Sequence, residues 1–313
     1  MRSVLLLLLL PSLWSQATER FYLGTGDISG IYYQIGGEFC RLATQANHQN
    51  RCAVVPSSGS IENLALLKSG KINIAMVQSD WAYQAFRGSG LYHDHPQPQL
   101  RALFATHAEP FALVVRADAK LRQLGDLAGQ RLYLGPAGSG TRQTALTLLG
   151  LSGLTPKAIQ EVKTDDPGEA LCRGQIAMFA MVSGHPNRTL VDTAKQCDIR
   201  FLPIPPDIIT KLLVDAPYYQ RSQIPARLYP GNLQPTPTFA VAAILLTTAE
   251  APDAGVYQMV KGMLGEGAHF NQQTFAYANL FRLPRYQTGK VLPITQHPGA
   301  QRFFQELKQA GKL

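Results

Sequence analysis

A chain of 313 residues, 45% apolar and 16% charged, is long enough to bury one large core or two of ordinary size and too apolar to remain disordered. Its formal charge of +8 arises from basic residues scattered singly. There is no basic run, aromatic–basic stripe or nucleic-acid motif, so the excess reads as a mild preference for anions and no nucleic-acid partner is expected.

Residues 1–17 have the form of a secretory signal peptide. Arg2 supplies the positive start, Val4 to Leu10 an unbroken apolar run, and Ser15-Gln16-Ala17 a small-x-small cleavage site. That run is shorter than the roughly 20 residues needed to span a bilayer. The longest later candidate, Phe239 to Leu246, fits a buried strand. Export to the periplasm is therefore expected, with cleavage near Ala17.

The remaining chain alternates strand and helix. Strand Phe21-Tyr22-Leu23 runs through Gly24-Thr25-Gly26 into a helix opening near Ser29, whose Ile31, Ile35, Phe39 and Leu42 share one side. Strand Ala53-Val54-Val55 leads through Ser57-Ser58-Gly59 to a helix starting at Ser60, taken as its N-cap, with Glu62 in the first turn and a stop at Gly70. Strand Ile74–Val77 ends in Gln78-Ser79-Asp80, and strand Leu100–Thr106 follows. At Glu109-Pro110 the pattern breaks. An extended run, Phe111–Arg116, precedes a second series containing strand Arg131–Gly135, the turn Gly138-Ser139-Gly140-Thr141, helix Thr141–Leu149 and strand Ile176–Val182. A proline-rich stretch leads to a long extended run, Thr238–Thr247, and helices near Ala254–Leu264 and Gln301–Gln309 close the chain. Alternating βα units predict a mostly parallel, doubly wound α/β sheet. Two long extended segments bracketing an inserted unit predict two lobes, 18–109 with 240–313 and 110–239, joined by two crossing strands. The ligand cleft would lie between them, at the C-terminal ends of the strands.

The strand–turn–helix unit with small and hydroxyl residues in its turn occurs four times. Each turn presents backbone N–H groups at a helix N-terminus, where the dipole favours negative charge. Four such turns suit a protein that holds a small anion. The candidate contacts are Thr25, Gly26, Tyr32, Ser60, Gln78, Ser79, Ser139, Gly140 and Thr141. Each has a plainer reading as well: a tight turn for Thr25 and Gly26, core packing for Tyr32, a cap for Ser60, Ser139 and Thr141, turn structure for Gln78 and Ser79. Arg142 stands in the first turn of its helix, where a cation opposes the dipole. It is either a bidentate carboxylate clamp or a solvated surface charge.

Catalytic patterns are incomplete. Gly135-Pro136-Ala137-Gly138-Ser139-Gly140-Thr141 lacks the glycines of a nucleophile elbow and the Gly-Lys-Ser/Thr ending of a phosphate-binding loop. Gly24-Thr25-Gly26 lacks the third glycine of a dinucleotide fingerprint. His93-Asp94-His95 lies in a proline-rich loop without a third ligand in view, so it reads as a solvent-facing loop. No enzyme, cofactor or metal is expected. The four cysteines form two local couples, Cys40 with Cys52 and Cys172 with Cys197. Export favours disulfides and local pairing costs least to close, with free or metal-bound thiols as the alternative.

Taken in order, the motifs resemble the TAXI family, solute-binding subunits of TRAP-type secondary transporters. The matching text is Gly24-Thr25-Gly26 with Gly30-Ile31-Tyr32-Tyr33, Gly59-Ser60-Ile61-Glu62-Asn63-Leu64, Val77-Gln78-Ser79-Asp80-Trp81, Leu100-Arg101-Ala102-Leu103, Glu109-Pro110-Phe111, Asp126-Leu127-Ala128-Gly129 and Gly138-Ser139-Gly140. Ala170-Leu171-Cys172, Gly184-His185-Pro186, Pro217-Tyr218-Tyr219 and His297-Pro298-Gly299-Ala300 complete it. The resemblance implies a type II periplasmic binding fold hinged around a cleft and a TRAP-type membrane permease as partner. It also implies a small carboxylate ligand such as glutamate or 2-oxoglutarate, and adds His185 to the residues lining the cleft. Asp27 departs from the family's glycine and is expected to point outward or cap the helix.

The sequence thus leads to a periplasmic solute-binding protein, expected to be a monomer. It would capture a small carboxylate for a TRAP-type permease through an open–closed equilibrium. The alternatives are a ligand-binding adaptor for a membrane sensor kinase and an exported hydrolase using Ser139 with His185.

Overall fold

The computed structural model describes residues 19–48, 50–214, 216–265 and 292–313. The signal-peptide segment, 1–17, lies outside the described residues. In chain order, the first elements are β1 (Glu19–Gly24), α1 (Ile31–Ala46), β2 (Asn50–Val55), α2 (Ser60–Lys68), β3 (Ile74–Gln78), α3 (Ser79–Arg87) and the long β4 (Leu100–Arg116). Next come β5 (Arg131–Tyr133), α4 (Gly140–Leu151), β6 (Gln160–Glu161), α5 (Pro167–Cys172), β7 (Met178–Val182), α6 (Arg188–Gln196), β8 (Ile199–Phe201), α7 (Pro206–Leu213) and β9 (Gln220–Ile224). The second long strand, β10 (Thr236–Thr248), precedes α8 (Asp253–Leu264) and α9 (Pro298–Gln309).

The sheet runs β2-β1-β3-β10-β4-β7-β5-β6, with β8 on β4 and β9 on β10. It is mixed α/β and less uniformly parallel than the sequence predicts. The βα units supply the parallel pairs β1–β2, β1–β3, β5–β6 and β5–β7, whereas β4 and β10 run antiparallel to their partners.

These two strands position everything else. β4 lies along β10 from Leu100 to Pro110, then pairs β7 from Phe111 and β8 from Val114. β10 pairs β9 at its start and β3 toward its end. The break expected at Glu109-Pro110 is absent: β4 passes through it as one strand. Pro110 registers opposite Ala240 of β10, just before β7 pairs with β4 from Phe111. Phe111 and Phe239 stack at 5.1 Å where the two strands exchange partners.

Four apolar clusters cover the sheet. In the half built on β1–β3, one cluster gathers Ile31, Ile35 and Phe39 of α1 with Phe104 and Met76, and a second gathers Leu64, Val77, Trp81 and Ile244 on the opposite face. The other half has Leu132, Leu148, Met178 and Ile208 on one face and Val114, Phe179, Leu190 and Phe201 on the other. Each large side chain fully buried here contributes about 2 kcal/mol. Disulfides Cys40–Cys52 and Cys172–Cys197 are both present, tying α1 to β2 and the end of α5 to the end of α6.

Candidate functional site

The N-termini of α2 and α4, on opposite halves of the sheet, meet. Glu62 N donates to Gly138 O at 3.2 Å, and Trp81 Nε1 donates to Gly140 O at 3.3 Å. Only glycines allow this approach. A Cβ on Gly140 would overlap the Gln78 amide and lie 2.9 Å from Ser60 Oγ, and Gly59 adopts φ 112° beside Ser139. Gly59 also occupies the N-cap position of α2 expected for Ser60. Released from capping, the buried Ser60 hydroxyl accepts from Gln78 N at 3.0 Å.

Other bonds join the halves around α3. Ser79 Oγ donates to Tyr218 O at 3.1 Å and accepts from Ala242 N at 3.0 Å. Asp80, fully buried, accepts from Trp81 N, from Thr144 Oγ1 at 3.0 Å and from Tyr219 OH at 3.3 Å. Burial pushes its carboxyl up to about 7, against the lowering effect of those hydrogen bonds.

A polar face lies beside this contact. Gln78 on β3 and His107 on β4 both register opposite Ala243 of β10. Directly opposed residues share a face, so the two side chains flank one methyl group, their backbones roughly 10 Å apart. Glu109, two residues on, falls on the same face. All three are buried, at 4%, 1% and 2% exposure, yet among the described residues Gln78 Oε1 and His107 Nε2 have no hydrogen-bond partner. Tyr32, in the first turn of α1, stands edge-on to His107 and donates its hydroxyl to Glu109 Oε2 at 2.7 Å. Burial and the neighbouring Glu109 hold the Tyr32 phenol well above its ordinary range, so it remains a donor. Glu109 Oε1 lies 3.5 Å from His107 Nε2. On the far side of that ring, Thr106 Oγ1 donates to Ala243 O and lies 2.9 Å from Nδ1. The ring thus stands between the Thr106 hydroxyl on one side and the Glu109 carboxylate on the other.

The structure brings Tyr32, Ser60, Gln78, Ser79 and Gly140 together and assigns the other candidates local tasks. Thr25 directs its hydroxyl to Val55 O at 3.0 Å, and Gly26 O accepts from Ser57 N; together they form the turn that joins β1 to the loop before α2. Asn63, fully buried, donates to Thr25 O and Met76 O and locks that turn to β3. Ser139 caps α4 by accepting from Arg142 N, and Thr141 Oγ1 accepts from Val182 N. Arg142 is not brought to the cluster: its guanidinium is bidentate on Glu161 at 2.6 and 2.8 Å. His185 Nδ1 pairs with Tyr229 OH at 2.6 Å, and burial pushes its imidazole down to about 4. Asp27 is exposed and accepts from Ser29 N and Oγ, so it stiffens the turn before α1, as expected. His93 and Asp94 are exposed and pair with each other.

Sequence reasoning missed Asp80, His107 and Glu109 as site residues, although Asp80 and Glu109 lay within quoted motifs. The available signal was a Glu in the middle of a long apolar strand, since a buried carboxylate is kept only with partners.

A family model described as the NMT1-like family matches residues 23–307. The chain belongs to the NMT1-like family. Among solved structures, this NMT1-like chain is similar to PhnD1 from Prochlorococcus marinus in complex with methylphosphonate, at 10% identity and TM-score 0.56, covering 94% of this chain and 99% of that one. It is also similar to XAC2383 from Xanthomonas citri bound to ATP, at 13% identity and TM-score 0.52, covering 93% and 96%. A further likeness, to the periplasmic aliphatic sulphonate binding protein SsuA from Escherichia coli, has 14% identity and TM-score 0.48, covering 94% and 93%. The fold is the mixed α/β architecture of such binding proteins.

Proposed function

We propose that this chain is an exported solute-binding protein of a transport system. It would capture a small organic anion between two lobes and deliver it to a membrane permease. The observation that carries this reading is the meeting of α2 and α4, where a Cβ on Gly140 would overlap the Gln78 amide, beside a buried polar face with atoms unpartnered among the described residues. Helix N-termini attract anions, and groups buried without partners cost free energy that a ligand would recover. Contacts made with both halves bias the open–closed equilibrium toward closure, and no bond chemistry is needed. Anionic ligands on PhnD1 and XAC2383 accord with this reading. The motif order favours the TAXI branch, a carboxylate ligand and a TRAP-type permease.

A hydrolase reading loses support at Ser139. Its hydroxyl accepts from Arg142 N as a helix cap, and His185 is held by Tyr229. The test is thermal unfolding of residues 18–313 against amino acids, keto acids, dicarboxylates, phosphonates and sulfonates. A ligand at 100 times its Kd stabilises the native state by about 2.7 kcal/mol, an easily measured rise in Tm. No rise with any member would overturn the reading.

A further inference from the structure

Asp80 stands on α3, in the β1–β3 half, yet two of the three groups that donate to it belong to the other half. Thr144 Oγ1 on α4 and Tyr219 OH, just before β9, both donate to Oδ2, at 3.0 and 3.3 Å, while Trp81 N donates to Oδ1 at 2.9 Å. The side chain is fully buried. Its charge acts unfavourably on Tyr32 of α1 and on Tyr218 and Tyr219, and Glu109 of β4 acts on it in the same sense. Among the described residues no lysine, arginine or histidine offsets it. A charge held this way is destabilising, because hydrogen bonds from neutral groups restore only part of the hydration it loses. That penalty exists only while the halves touch: when they part, Thr144 and Tyr219 leave and water reaches the carboxylate. The dipole of α3 favours the charge in either state and does not alter the difference.

We infer that Asp80 is a proton-dependent latch: the two halves close on each other with uptake of a proton by this carboxyl and part more readily when it is ionised. This rests on the proposed open–closed reading of the chain. A protonated carboxyl keeps capacity to accept from Thr144 and Tyr219 and buries no charge. Burial raises the closed-state carboxyl to about 7, and parting the halves returns it toward its ordinary value of about 4, so closure binds a proton between those values. Over that interval the ratio of closed to open molecules rises by up to about tenfold for each unit that pH falls.

The contact carries its own reporter. Trp14 lies in the signal-peptide segment, so residues 18–313 hold one tryptophan, Trp81, whose indole donates to Gly140 O of the other half at 3.3 Å. The experiment follows Trp81 emission, and the radius of gyration by small-angle X-ray scattering, in residues 18–313 between about pH 5 and 8.5. A compact form with blue-shifted emission is expected at the acid end, and a larger radius with red-shifted emission at the alkaline end. Asp80→Asn, neutral at every pH, is expected to be compact throughout. A radius and emission independent of pH, or the same pH response retained in Asp80→Asn, would overturn the latch. Should Asp80→Asn not fold, Tyr219→Phe decides. Loss of a donor that favours the ionised form is expected to move the onset of the response up by roughly one pH unit, and an onset that stays or falls overturns the latch. The panel of ligands tests anion capture separately: a flat pH response beside a ligand that raises Tm removes the latch alone, and a flat response with no such ligand removes both.

Discussion

On the β1–β3 side of the α2–α4 contact, Gln78 Oε1 and the neighbouring His107 Nε2 of β4 are buried without a hydrogen-bond partner among the described residues, and Glu109 accepts from Tyr32. On the α4 side most candidate groups are engaged, Ser139 with Arg142 N, Thr141 with Val182 N, Arg142 with Glu161 and His185 Nδ1 with Tyr229, while His185 Nε2 is buried without a hydrogen-bond partner among the described residues. The first side carries two of these unpartnered atoms and the second side one, with the rest of the second side's polar groups paired internally. A binding protein gains from this division, because selectivity needs unsatisfied groups held rigidly while closure needs only a complementary surface that arrives intact.

The sharpest way to break the division is to stop that surface from arriving. Gly140→Val places a branched side chain into the Gln78 amide and Ser60 hydroxyl. Ligand affinity is expected to fall by roughly 100-fold or more, equivalent to about 2.7 kcal/mol, with Tm of the ligand-free protein little changed. Wild-type affinity in this variant would show that the α2–α4 contact is not part of binding.

A smaller effect is expected where the two sides share a carboxyl. Asp80 has its pKa raised from an ordinary carboxylate value to about 7 by burial, next to Glu109, Tyr218 and Tyr219. A raised carboxyl binds its proton more tightly when folded than unfolded. The contribution of this group to stability is therefore fully present below its unfolded value of about 4 and is lost as pH rises through the folded value of about 7. Between pH 5 and 8 the loss should be on the order of 2 kcal/mol. Asp80→Asn should flatten this slope in thermal melts; an unchanged slope would remove Asp80 as its source.

The smallest change is expected at Arg142, which the dipole argument offers as a clamp. Paired with Glu161 and partly exposed, it should contribute at most about 1 kcal/mol to stability. Arg142→Ala should alter affinity for mono- and dicarboxylates by less than about threefold. A selective loss for dicarboxylates would return it to the site.

How legible was this in the sequence? Helical spacing placed Ile31, Ile35 and Phe39 on the buried side of α1, and the long apolar run near 240 is β10, because both patterns are local and dictated by burial. The cysteine couples were legible for the same reason. At Glu109-Pro110 the sequence shows a change of pattern, but only the partner strands reveal that a single strand runs through it and changes neighbours there. Arg142 illustrates a second limit: it stands on α4 and its partner, Glu161, on β6, and no local pattern announces a pairing between the two. His107 and Glu109 were hidden by register. Their proximity to Gln78 depends on both β3 and β4 aligning to Ala243, a fact of tertiary pairing alone.

The bonds that draw the two halves together have a consequence for the medium in which such a protein works. Backbone N–H, indole N–H and hydroxyl donors meet carbonyl oxygens at Gly138, Gly140 and Tyr218. Neutral dipoles in contact are little affected by the mobile ions that screen charged pairs within about 10 Å at 0.1 M ionic strength. Contacts built this way between the two halves keep their strength as the surrounding salt concentration rises and falls.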